Sequence, residues 1–184
     1  EINALISNGT LGDVCEEAEC PINCEIADLG SILSIKDVET KSPTYKARVI
    51  YRGDEPVIKV EDGQRPEGYK FVNAAKDEDV WSSNTADHSS VRLALAFAVT
   101  RGLETWSCDL ASAYLQADAG GRQTYVRVRG HLAAGLPPET QAIRARFKAQ
   151  VHKLVKALYG RKRSGYDWAI KLLHVLDSMK FRKT

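Results

Sequence analysis

The sequence has few of the features that assign function at sight. It holds four cysteines, six prolines and one methionine in 184 residues. No apolar run is long enough to span a bilayer, and the N-terminus has no signal-peptide layout. There is no internal repeat, low-complexity tract, P-loop motif or dinucleotide fingerprint. The cysteines, at 15, 20, 24 and 108, are too few and too unevenly spaced for a secreted disulfide scaffold. Cys15, Cys20 and Cys24 form C-x4-C-x3-C, which lacks the tight pairs of a structural zinc site, so free thiols are expected. The chain opens on Glu1 rather than Met, which reads as processing or as a piece of something longer.

What is present is ordinary in bulk and uneven in detail. Hydrophobic residues make up 43% and charged residues 27%, a globular composition with enough chain for a real core. The net charge of +2 hides an asymmetry. Residues 1–44 carry nine acids and two bases, whereas residues 141–184 carry twelve bases and two acids. A basic end of that density suits phosphate or a nucleic-acid backbone, and equally a solvated helix face.

Glu1 to Val14 reads as a short helix, with Ile2, Leu5 and Ile6 as its apolar positions, ended by Asn8-Gly9. An acidic, cysteine-bearing loop follows. Strands are expected at Ile32 to Lys36 and Tyr45 to Tyr51, joined by the turn Thr40-Lys41-Ser42-Pro43. In the second strand Lys46, Arg48, Ile50 and Arg52 share a face, enough cations to clasp a polyphosphate or simply to keep an edge soluble. Residues 54–87 read as a loop-rich excursion with one short strand at Tyr69 to Val72 and a charge run, Lys76-Asp77-Glu78-Asp79.

Asp87-His88-Ser89-Ser90 supplies N-cap chemistry for a helix over 91–101, apolar nearly all round and so expected beneath a sheet. From Leu103 to Leu110 the residues alternate, with Trp106, Cys108 and Leu110 opposite Thr105, Ser107 and Asp109. The predicted strand ends by presenting Asp109, either as a ligand for a divalent cation or as a cap of the next turn. Thr124 to Arg129 reads as a strand with Val126 and Val128 inward. Glu139 to Lys148 reads as a short basic helix. A last helix, about Tyr166 to Lys180, places Trp168, Leu172, Val175, Leu176 and Met179 on one core stripe. The fold class is α+β, an antiparallel sheet with packed helices.

The order of these blocks resembles the reverse transcriptase of copia-type retrotransposons. The resemblance rests on Asn8-Gly9-Thr10-Leu11, Tyr45-Lys46-Ala47-Arg48-Val49 with Arg52-Gly53, and Ser90 to Leu103. It continues through Asp109-Leu110-Ala111-Ser112-Ala113-Tyr114-Leu115-Gln116-Ala117, Tyr125-Val126, and Val151 to Lys162 with Trp168. Lys156-Ala157-Leu158-Tyr159-Gly160 is the most specific string. Leu11 stands where a Trp is usual, and residues 54–87 and 160–165 depart from the pattern.

The resemblance implies a partial right-hand polymerase fold, with fingers over 1–88 (an atypical loop at 54–88) and the start of the palm over 89–184. It implies an RNA-directed DNA polymerase that adds dNTPs to a DNA primer on an RNA template by two-metal phosphoryl transfer. Asp109 and the Leu110 main-chain carbonyl would hold magnesium. Tyr114 would sit under the sugar and exclude a 2′-hydroxyl. Lys46, Arg48, Gly160 and Lys162 would meet the nucleotide, and Arg52, Arg161 and Arg163 the nucleic acid. The paired aspartates expected beyond the last helix are not in the sequence, so the chain reads as a fragment inactive by itself. The rest of palm, thumb, RNase H and integrase would follow in one Pol polyprotein, in a cytoplasmic virus-like particle or the nucleus, with no membrane partner. The alternative is a non-catalytic nucleic-acid-binding remnant of a decayed element.

Overall fold

A computed structural model describes residues 2–39, 42–74 and 86–181. The chain is built on one long strand, β2 (Glu25–Lys36), whose two halves serve different neighbours. Its first residues pair in parallel with β6 (Thr124–Arg127), Ile26 facing Tyr125 and Ala27 facing Val126. Glu25 and Ile26 also pair antiparallel with β4 (Val57–Glu61). The outer half forms an antiparallel hairpin with β3 (Thr44–Tyr51), in register from Leu29–Tyr51 to Lys36–Thr44. Beyond β6 lie β7 (Gln150–Leu154) and the edge strand β1 (Leu11–Glu16), and beyond β4 lies β5 (Tyr69–Asn73). Every pairing except β2–β6 is antiparallel. The architecture is thus mixed α and β on a mostly antiparallel sheet.

Alternation explains why the centre holds. On β6, Val126 points into a cluster with Ala27, Leu29, Val49, Tyr51, Leu154 and Leu158, closed from outside by Leu5 of α1 (Ile2–Ser7). Tyr125 points the other way, into a smaller cluster of Ile26, Val151, Cys20 and Cys24. Each fully buried side chain of this size stabilises the fold by about 1.5–3 kcal/mol relative to exposure. The first helix stops at Asn8-Gly9 as the sequence predicts, with Gly9 in the left-handed region at φ +66°. The predicted inward pair Val126 and Val128 is buried.

Other expectations fail. Strand β1 runs from the end of the segment expected as helix into the acidic stretch expected as loop. The strand expected at Tyr69 to Val72 forms as β5 but pairs in a hairpin with β4, which was not expected. Helix α4 (Pro138–Arg144) forms at the start of the basic helix expected over 139–148 but ends four residues sooner, and α3 (Gly130–Ala134) was not expected. Helix α2 (His88–Thr100) forms as predicted: Asp87 Oδ1 accepts from the Ser90 N–H at 2.8 Å, and Gly102 at φ +62° ends it. Yet it is not beneath a sheet. Only Ala98 is buried, while Leu93, Phe97 and Val99 are exposed.

The strand expected over 103–110 is absent. Those residues join no ladder, and Trp106 is 91% exposed. Alternation supplies a face but not a neighbour, and no described strand offers its edge there. For α5 (Ser164–Ser178), the predicted core stripe is only partly covered, with Val175 and Met179 exposed. The charge run at Lys76 to Asp79, and Thr40 and Lys41 of the first turn, lie outside the described residues.

Candidate nucleotide and nucleic-acid interface

The stretch after β7 is stitched to two distant parts of the chain and to the start of α5. The Ala119 N–H donates to Val155 O at 2.8 Å and the Ala157 N–H to Ala117 O at 2.9 Å, fixing it beside the turn that carries Tyr114. The Tyr51 N–H donates to Tyr159 O at 2.7 Å, fixing it to the end of β3. Ser164, fully buried, closes the turn by accepting from the Leu158 N–H at 3.0 Å and donating to Leu158 O at 2.7 Å. Gly160 adopts φ +90°, and a Cβ there would overlap the Tyr51 carbonyl. Gly160 does allow a close backbone approach, and the backbone it meets is that of β3.

This arrangement builds an aromatic and cationic stack. Tyr114 stands in a 3-10 turn, Ala113–Gln116, entered through Ser112 in the left-handed region at φ +51°. Its ring lies 4.9 Å from that of Tyr159 at a tilt of 34°. The Arg48 guanidinium of β3 sits over the same Tyr159 ring, 5.6 Å from the centroid. Three blocks separated in sequence thus meet in one place.

Behind Gly160 opens a cleft of about 340 Å³, with Arg122, Arg161, Lys162 and Arg163 on one side and Asn23, Glu25 and Tyr51 on the other. The Tyr51 hydroxyl donates to Glu25, and burial foremost, then the Glu25 charge, push its pKa far above the usual range. The cations are held from within by Asp167, a nearly buried carboxylate on α5. It pairs with Arg161 Nη1 at 3.1 Å and Arg163 Nε at 2.8 Å, and accepts from the Gly120 N–H at 3.1 Å. Arg161 Nη2 also donates to Gly120 O at 2.7 Å, leaving Nε without a partner. The sequence carried one signal for this hub, the i,i+4 spacing of Arg163 and Asp167. It carried none for Ser164.

The structure gathers the remaining residues unevenly. Arg48 and Tyr114 share the stack, and Lys162, Arg161 and Arg163 share the cleft. The Arg161 side chain is 5% exposed and turned inward. Lys46 is half-buried on β3. Arg52 is ion-paired with Asp54 at 3.0 Å and Glu55 at 3.3 Å, and the Asp54 hydrogen bond raises its pKa. Asp109 and Leu110 stand exposed in 103–110, outside both groups. Among the described residues no set of three His, Cys, Asp or Glu side chains is placed to hold a metal ion. Asp109 alone does not make a magnesium site.

Residues 31–184 match the reverse transcriptase (RNA-dependent DNA polymerase) family, and the chain belongs to it, as a reverse transcriptase domain of copia-type Pol. Among curated proteins, the Transposon Ty1-BL Gag-Pol polyprotein of Saccharomyces cerevisiae is 29% identical over 125 residues, covering 68% of this chain and 5% of the polyprotein. Ty1-DR4 Gag-Pol of the same yeast is also 29% identical over 125 residues, at 6% of its length. The chain therefore spans about one-twentieth of the relatives it matches. No solved structure matches it.

Proposed function

We propose that the chain supplies the fingers (1–88) and the first part of the palm (89–184) of an RNA-directed DNA polymerase. That enzyme copies an RNA template by adding dNTPs to a DNA primer, with the remaining palm, thumb, RNase H and integrase in the same Pol polyprotein. The reading includes its place in a cytoplasmic virus-like particle or the nucleus. The observation that supports it best is the Arg48–Tyr159–Tyr114 stack, which puts a cation of the fingers strand beside a candidate sugar gate. In this reading the Tyr114 ring excludes a 2′-hydroxyl by bulk, and Arg48 and Lys46 meet the triphosphate. Lys162 also meets the nucleotide and, exposed at the cleft, adds positive potential for a phosphate backbone beside Arg52 and Arg163, with Arg161 turned inward onto Asp167 as their support.

Magnesium supplies the chemistry of in-line phosphoryl transfer in such enzymes, and Asp109 and the Leu110 carbonyl are its candidate ligands here. One exposed carboxylate does not assemble that site, and the 184-residue chain is expected not to extend a primer. The same exposure of Asp109 favours the second reading, a nucleic-acid-binding remnant without chemistry. Primer extension by the complete Pol polyprotein separates the two: activity supports the polymerase, inactivity the remnant. In the active polyprotein, Tyr114→Ala is expected to weaken discrimination against ribonucleotides by at least about tenfold. Full activity with unchanged sugar selectivity would remove Tyr114 from the gate.

A further inference from the structure

The C-x4-C-x3-C run has no part in the polymerase reading, yet the fold gathers its three thiols. Cys15 on β1 and Cys20, just past a 3-10 turn at Glu17–Glu19, stand with their sulfurs 3.8 Å apart. Cys24, just ahead of β2, packs in the same small core cluster as Cys20. Cys20 and Cys24 are buried in the smaller core cluster, and Cys15 packs against it, half-buried. Lys59 of β4, 2% exposed, reaches the same place, its Nζ donating to Cys20 O at 2.7 Å and to Ala18 O.

Two chemistries compete for such a cluster. A structural zinc ion asks for four tetrahedral ligands, and a buried ammonium beside the site repels a cation. The Cys24 thiol is held below its usual range, first by neighbouring Cys20 and then, against burial, by the Lys59 charge, while Cys20 is pushed well above its usual range. The surroundings favour electron transfer over metal binding.

We propose that Cys15 and Cys20 form an oxidation site that closes to a disulfide on reaction with hydrogen peroxide, with Cys24 as a third thiol able to exchange onto Cys20. Exposure orders the steps. Cys15, the member nearest solvent, attacks the peroxide: an S–O bond forms, the O–O bond breaks, and water leaves with Cys15 as the sulfenic acid. The Cys20 sulfur then attacks that sulfur. The S–S bond forms, the S–O bond breaks, and the departing hydroxide takes the Cys20 proton as a second water. Two electrons pass from the two thiols to the peroxide. The sulfurs close from 3.8 Å to about 2.0 Å. The Cys24 thiolate can next displace Cys15 from Cys20.

The bridged turn is already tied down. Glu16 accepts from the N–H groups of Lys148 at 2.9 Å and Ala149 at 2.7 Å, and Glu17 grips Arg127 at 2.7 and 2.9 Å. Burial raises the Cys15 thiol above its ordinary pKa, so the first step accelerates as pH rises.

The test uses the 184-residue chain carrying Cys108→Ser, treated with hydrogen peroxide, alkylated and cut by a glutamyl endopeptidase. Cleavage after Glu16, Glu17 and Glu19 separates Cys15 from the peptide holding Cys20 and Cys24. A Cys15–Cys20 bond keeps the two together, and exchange leaves a Cys20–Cys24 loop lighter by about 2 Da, both reversed by dithiothreitol. Cys15 is expected to bond Cys20 at least about tenfold more often than Cys24 in the folded chain, and without that preference in concentrated urea, as read by peptide fragmentation. Three thiols that stay alkylatable, the same mixture of pairings folded and unfolded, or stoichiometric zinc in the purified chain would each overturn the proposal.

Discussion

His152 gives the central sheet a pH dependence of its own. It is 2% exposed on β7, with Nδ1 3.3 Å from Gly12 O and Nε2 unpartnered. Burial foremost pulls its pKa below 6.5; the Gly12 carbonyl opposes this and Arg144 adds to it. The folded chain therefore holds the neutral ring, while the unfolded chain takes up its proton near pH 6.5. The contribution is complete above that value and is lost as pH falls through the depressed folded-state pKa. The urea midpoint is expected to drop between pH 7.5 and 5.5, and His152→Gln to flatten that part of the profile. A variant as steep as the parent would assign the slope to other groups. Little of this was legible beforehand. Alternation places Val151 and His152 on opposite faces, but the cover over Val151 comes from Cys20, Cys24 and Ile26, far away in sequence. Gly160 was legible as a point of close approach, whereas its partner, the Tyr51 carbonyl, was not.

Local chemistry also decided which elements the sequence disclosed. The cap of α2 could be read from Asp87 and Ser90, and the end of α1 from Asn8-Gly9, because partners three or four residues apart need no knowledge of the fold. Strand β1 was missed because Gly12, Asp13 and Glu16 carry turn and loop character, and its pairing with β7 spans most of the chain. Burial was misjudged where pattern stands without a partner: α2, residues 103–110 and the outer side of α5 keep apolar side chains in solvent. A helix held by its cap and internal hydrogen bonds, without tertiary packing, is only weakly stable. Native-state hydrogen exchange should therefore find the α2 amides opening with a free energy several kcal/mol below those of β2, β6 and β7. Equal protection would mean that α2 is covered in solution, for instance by self-association, which a concentration series would expose.

Across the whole molecule, the charge asymmetry visible in the sequence is partly cancelled by folding. Glu17 of the acidic end grips Arg127, and Asp28 lies within ion-pair distance of Arg127 and Arg129. At the basic end Arg144 turns in to donate to Val128 O, and Arg161 and Arg163 are pinned on Asp167. The count of bases over 141–184 therefore overstates the potential offered to a phosphate backbone. Arg161 and Lys162 are neighbours in sequence but differ in role: the first is a buried strut, the second exposed on the rim of the cleft. Removing one partner of a buried ion pair costs about 3–5 kcal/mol, and Arg163 still faces Asp167, so Arg161→Gln is expected to lose about 2–4 kcal/mol in urea unfolding. Its effect on the salt dependence of nucleic-acid binding should be small, provided the variant is measured where it remains folded. Lys162→Gln should leave stability within about 0.5 kcal/mol and lower the slope of log K against log salt by about 1. If the two variants exchanged these signatures, the inward guanidinium would be the contact and the rim lysine the support. The cleft would then have to open for Arg161 to reach a phosphate.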